Sequence, residues 1–186
     1  MVTKQSAQQE KQVSSVRQYL MFNLGRETFA VGIHAIREII EYQGVTSIPL
    51  APAFLRGVIN LRGAVVPVLD LSVRFGRAAT DINRRTCIVI VEAVQGDAIH
   101  LLGVIVDAVT EVREVETSQV ERQPQFGLGL RNDFVAGMLK REQGFIPVLD
   151  LTAVLSTGEL ESLIDAAQTS GDLADDVPKD NAVRAG

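Results

Sequence analysis

The sequence predicts a mostly-β chain built from small barrels, and three observations carry that expectation. Apolar and polar residues alternate over short runs that end at glycine, the pattern of half-buried strands joined by tight turns. One strand-turn-strand phrase occurs twice. Only one stretch, close to the C-terminal end, spaces its apolar residues as an amphipathic helix does.

Taken in order, residues 1–14 are rich in Gln, Ser and Lys, offer little to bury, and read as a flexible tail. Arg17 to Leu24 alternates as a strand, Gly25-Arg26-Glu27 turns, and Thr28 to Gly32 returns. Ile33 to Ile36 reads as a short helical turn leading into a strand over Glu38 to Tyr42. Pro49 and Pro52 bracket a loop with Phe54 at its exit. Phe54 to Leu71, FLRGVINLRGAVVPVLDL, then reads as a hairpin. Leu55, Gly57, Ile59 and Leu61 fall on one side of its first strand; Arg56, Val58, Asn60 and Arg62 fall on the other. Gly63 supplies the positive φ that a two-residue turn needs. Pro67 gives no N–H to a ladder, so the return strand is expected at an edge or at a bulge.

Leu71 to Phe75 reads as a brief helix ending near Gly76, and the polar Ala78 to Arg85 as a loop. Thr86 to Val94 is a buried strand, Gly96-Asp97 a turn, and Ala98 to Val106 an apolar return. Val109 to Val115 alternates Val with Glu and Arg, and Thr117 to Gln125 reads as loop. Near the end, Ser156-Thr157-Gly158-Glu159 fits a capping box. Leu160, Leu163, Ile164 and Ala167 then form one apolar stripe of a C-terminal helix, and 169–186 read as a disordered acidic tail.

The hairpin phrase returns at Phe134 to Leu151, FVAGMLKREQGFIPVLDL, aligned without a gap. Two copies are too few for a solenoid and predict two similar β lobes. The scaffold is repeated but the polar tip is not: Lys140, Glu142 and Gln143 stand where the first copy has Asn60, Arg62 and Gly63. A function carried by that tip therefore belongs to the first copy.

Of the 186 residues 46% are hydrophobic, enough for a sizeable core. The acidic balance lies in the tail: seven acids against two bases from Glu159 onward carry the whole net charge of −5. A neutral body, an acidic tail, few aromatics and no Trp argue against nucleic acid as a partner. The lone Cys87 lies in an apolar run and reads as a buried hydrophobe. No signal peptide and no run of about 18 apolar residues stands out, so the chain is expected to be cytoplasmic, without direct membrane insertion.

Catalytic chemistry is not written in the residues. His34 and His100, the only histidines, have no Cys, Asp or second His at ligand spacing; the first is expected in a surface turn and the second facing outward on a strand. Gly127-Leu128-Gly129-Leu130 lacks the third glycine of a dinucleotide fingerprint and reads as a loop. Asp70 and Asp150 each end an apolar strand and read as caps for the helices that follow. Arg62, at a hairpin tip, is the residue to single out, with Glu38 as its natural ionic partner.

These phrases resemble a known family. FLRGVINLRGAVVPVLDL is similar to the signature hairpin of the CheW-type chemotaxis coupling proteins, with Gly-Val-Ile-Asn-Leu-Arg-Gly (57–63) its most specific part. The likeness continues through IHAIREII (33–40), VIVDAVTEV (104–112) and the second hairpin, covering roughly residues 16 to 167. It implies two intertwined five-stranded SH3-like barrels over residues 15–168, and no cofactor or catalysis. It implies an adaptor between methyl-accepting chemotaxis receptors and the regulatory domain of the histidine kinase CheA, recruited to membrane receptor arrays. The residues matching the family's binding positions are Ile36, Glu38, Gly57, Asn60 and Arg62. The alternative is a β-barrel module that binds a small ligand or a nucleic acid.

Overall fold

Eleven strands and one short helix carry the chain, in a computed structural model that describes residues 15–95, 97–121, 132–151, 153–154, 158–159, 161–163 and 165. The strands are β1 (Val16–Leu24), β2 (Glu27–Gly32), β3 (Ile36–Glu41), β4 (Leu55–Leu61), β5 (Ala64–Asp70), β6 (Cys87–Gln95), β7 (Ala98–Val106), β8 (Ala108–Glu116), β9 (Val120–Glu121), β10 (Val135–Arg141) and β11 (Gly144–Leu149). Helix α1 (Leu71–Arg74) follows β5, and a 3-10 turn over Ile33–Ala35 links β2 to β3. The tails at 1–14 and 169–186, the Gly127–Leu130 loop and parts of the expected C-terminal helix, among them Leu160, Ile164 and Ala167, lie outside the described residues.

The strands form two sheets, ordered β3-β6-β7-β5-β4 and β8-β1-β2-β11-β10-β9. The two are built to one plan. Each has an antiparallel hairpin (β6–β7 or β1–β2), a parallel pairing to the return strand of a repeat hairpin (β7–β5 or β2–β11), and the remaining hairpin strand beyond it. Each is then closed by chain leaving its far strand. After β3, Thr46 pairs with Val58 of β4; after β8, β9 pairs with Met138 and Leu139 of β10. This is the pair of five-stranded barrels expected, the second gaining the two-residue β9, which reads as loop in the sequence. The barrels are intertwined because the first two strands of the chain belong to the second barrel.

Among the described residues four β-bulges divide the core. In β4, Leu55 opposes Leu69 and Gly57 opposes Val68, leaving Arg56 as the extra residue. Side chains alternate with a period of two, so one extra residue transfers everything beyond it to the other face. Leu55 therefore packs in the core shared by the sheets, with Leu69, Val89 and Phe134, whereas Ile59 packs inside the first barrel with Val66, Ile88 and Ile105. The single face expected for Leu55, Gly57, Ile59 and Leu61 is thus split at Arg56. Bulges in β10, between Val135 and Gly137, in β3, between Ile36 and Glu38, and in β8, between Val109 and Glu111, do the same.

Pro67 lies in an internal strand, not at an edge. Its partner Val58 exchanges both backbone hydrogen bonds with Thr46 on the opposite side, at 2.8 Å each. The ladder from β5 to β7 begins only at Val68. No neighbour therefore asks Pro67 for an N–H. Pro147 repeats the arrangement, opposite Met138 and one residue before the ladder to β2.

Candidate functional site

The tip of the first hairpin and strand β3 meet at the rim of the first barrel. Both residues of the Arg62-Gly63 turn have positive φ, +52° and +90°, the signature of a type I′ hairpin. Asn60 Oδ1 accepts the Gly63 N–H at 2.9 Å and fastens the turn. Glu38 follows the β3 bulge and lies on the same face as Ile40 and Ile90, at the barrel rim. Arg62 Nη2 donates to Glu38 Oε2 at 3.0 Å, across the seam closed by Thr46 and Val58. The arginine side chain remains 76% exposed and the glutamate 22%, so one donor edge is engaged while the rest of the planar fork faces solvent. Ile39, the next residue of β3, points to the opposite face of the strand and is left 41% exposed. The ion pair anticipated from the sequence is therefore formed.

The other two expected site residues serve the backbone. Gly57 is buried, with φ +150°, and a Cβ there would stand 2.2 Å from the Thr46 carbonyl oxygen. It holds open the close approach through which the barrel shuts. Ile36 is half-buried before the β3 bulge and packs on the shared core. The structure thus brings Glu38, Asn60 and Arg62 together at the surface, with Gly57 and Ile36 shaping the two strands beneath. Thr46, on which the closure turns, does not stand out in the sequence; its signal is the β-branched pair Val45-Thr46 after Gly44, between the strand ending at Tyr42 and the loop at Pro49.

The second barrel supplies an internal comparison. Register places Glu111 of β8 after a bulge as Glu38 is placed in β3, and the next residue, Val112, is 49% exposed as Ile39 is exposed. Here the arginine comes from the same strand: Arg113 pairs with Glu111. The hairpin tip offers Glu142 instead, and its positive φ falls on Gly144, beyond the turn. In both barrels an acid follows the bulge and an exposed apolar residue follows the acid, but among the described residues only the acid of the first is paired with a hairpin-tip arginine.

The aspartates at the ends of the repeats are structural. Asp70 is fully buried and caps α1, accepting from the N–H groups of Ser72 at 3.0 Å and Val73 at 3.4 Å. It also accepts from the Thr80 N–H and hydroxyl, and Arg56 stands 3.7 Å away. Asp150 accepts from the Ala153 N–H at 3.2 Å, capping a turn. His34 is exposed in the 3-10 turn, and Cys87 is half-buried at the start of β6 rather than fully covered. Among the described residues no cluster of three His, Cys, Asp or Glu could hold a metal ion, and no helix is long and apolar enough to cross a membrane.

Twin closed barrels presenting a paired arginine at one rim are the frame of a protein-docking scaffold. A family model described as the CheW-like domain matches residues 18–159. The chain is 30% identical to the chemotaxis protein CheW of Klebsiella aerogenes over 149 residues, 80% of this chain and 87% of that protein. Identity to the chemotaxis protein CheW of Rhizobium meliloti is 33% over 146 residues, 78% of this chain and 92% of the relative. The crystal structure of the scaffolding protein TtCheW from Thermoanaerobacter tengcongensis matches with a TM-score of 0.70 at 30% identity, covering 78% of this chain and 96% of that one. The chain belongs to the CheW-like family of non-catalytic chemotaxis adaptors.

Proposed function

We propose that this chemotaxis scaffold couples methyl-accepting receptors to the histidine kinase CheA through the first-barrel rim, with Arg62 as the contacting residue. In this reading Glu38 orients the guanidinium, Asn60 fastens the turn that carries it, and Gly57 and Ile36 shape the strands. One barrel pairs with the regulatory domain of the kinase, a groove between barrels receives the receptor tip, and the chain works in the cytoplasm at membrane receptor arrays. The observation that carries the proposal is the Arg62–Glu38 pair at 3.0 Å on an exposed tip. An exposed pair adds only about 0–1 kcal/mol to stability. Holding an arginine in a left-handed backbone conformation costs about 1–2 kcal/mol. Folding alone therefore gives little reason for this residue at this place, and a partner does.

The test is kinase activation in reconstituted assemblies of receptor, kinase and adaptor. Arg62→Ala weakens activation, because truncating one member of a charge pair buried at an interface costs about 2–5 kcal/mol of binding. Glu142→Ala, at the equivalent place in the second hairpin, does much less. Wild-type activation by Arg62→Ala, or an equal loss from Glu142→Ala, removes the tip from the function.

A further inference from the structure

Arg74 ends α1, far from the docking rim, yet its side chain is only 14% exposed. Its guanidinium carbon lies 4.7 Å from the ring centroid of Phe54 and 5.5 Å from that of Phe134. Phe54 and Phe134 are the same residue of the two repeats, and each sends its carbonyl to the N–H of the aspartate ending its own hairpin, Asp70 at 2.8 Å and Asp150 at 2.9 Å. Arg74 Nε donates to the Val154 carbonyl at 2.8 Å, and Nη2 donates to Glu159 at 2.8 Å. Val154 is itself the repeat counterpart of Arg74. One guanidinium thus stands where the repeats face each other, touching both opening phenylalanines and its own counterpart. The repeat supplies it once, since the second copy has valine there.

We propose that Arg74 is the positioning residue of the junction between the lobes: it keys the two hairpins together and holds the C-terminal segment against the loop at 48–55. That segment buries Val154 and Leu163 in the shared core. Between it and the loop lies an apolar cavity of about 640 Å³, lined by Ile48, Leu50, Phe54, Leu55 and Leu163. The cavity keeps its shape only while the segment is held. The chemistry calls for arginine. A planar fork can stack on aromatic faces while its edge donates in two directions, which a lysine ammonium cannot do. Fixing the lobes relative to each other matters to any protein that presents two faces at once, but the inference does not depend on which partners those are.

The test uses the whole chain alone and reads hydrogen exchange by peptide. Arg74→Gln raises exchange tenfold or more in the peptides holding Val154 and Leu163, and leaves β6 and β7 protected as in wild type. Arg74→Lys recovers only part of the protection, because it restores the charge opposite Glu159 but not the fork. Glu159→Gln loosens the same peptides by a smaller factor. Unchanged exchange at Leu163 in Arg74→Gln, a uniform rise across both sheets, or full recovery in Arg74→Lys each overturns the proposal. Should Arg74→Gln not fold, Glu159→Gln decides, and wild-type exchange at Leu163 in that variant overturns it.

Discussion

Replacing Gly57 by alanine tests the closure of the first barrel, and its cost can be worked from the geometry. The added Cβ would lie 2.2 Å from the Thr46 carbonyl oxygen, 2.8 Å from its carbon and 3.1 Å from Val45 Cγ2. Ordinary contact begins near 3.4 Å, so the backbone of Thr46 must retreat by about 1 Å. That backbone makes the two 2.8 Å hydrogen bonds to Val58 that shut the barrel. Losing them costs about 0.5–1.5 kcal/mol each. A side chain at φ +150° adds about 1–3 kcal/mol of backbone strain. Together the change costs about 2–6 kcal/mol, a large part of the 5–15 kcal/mol that holds a typical domain folded. Gly137→Ala is the control. Its Cβ would meet Val120 Cγ1 at 2.9 Å, the end of a side chain, and Glu121 O at 3.2 Å, with no positive φ to strain. Its cost is nearer the lower end of the 1–3 kcal/mol of ordinary overpacking. Urea unfolding of both variants gives the comparison. A Gly57→Ala midpoint at or above that of Gly137→Ala refutes the account, and Gly57→Val with full stability and full partner binding removes any special role for the site.

Other outcomes follow from the same structure. Arg62→Ala changes unfolding free energy by no more than about 0.5 kcal/mol, as exposed substitutions usually do. Arg62→Asn, which suits a left-handed turn residue, melts no lower than wild type yet activates the kinase as poorly as alanine does. Asp70→Ala strands the buried donors of Thr80 and Ser72 and costs about 3–5 kcal/mol in urea unfolding; a loss under 1 kcal/mol means the cap is dispensable. A chain of residues 15–168 melts cooperatively within a few degrees of the full chain, since the tails carry too little apolar surface to offset the entropy of ordering; loss of cooperative unfolding refutes that.

The features legible in the order of residues are local. Alternation and glycine turns place the strands, the strand-ending Asp70 is a cap, the Arg62-Gly63 turn falls where expected, and the repeat announces two lobes. These are legible because each depends on φ preferences or on neighbours a few residues away. The Arg62–Glu38 pair, 24 residues apart in sequence, is the exception, anticipated because opposite charges stood on two strands of one small lobe. The rest depends on contacts between distant parts of the chain. Nothing in Val16–Leu24 says that it pairs with β8, or that the chain returns to the second barrel only after building the first. The bulges at Arg37 and Arg56 are invisible to a count of alternating residues, because an unpaired residue shows itself only against its partner strand. Val45-Thr46 stands out as no element and Val120-Glu121 reads as loop, because a closing bridge of one or two residues is too short to carry a period. Nothing local singles out Arg74 in its short helix; both phenylalanines, Val154 and Glu159 reach it only when the repeats fold face to face, where burial makes its guanidinium the link between them.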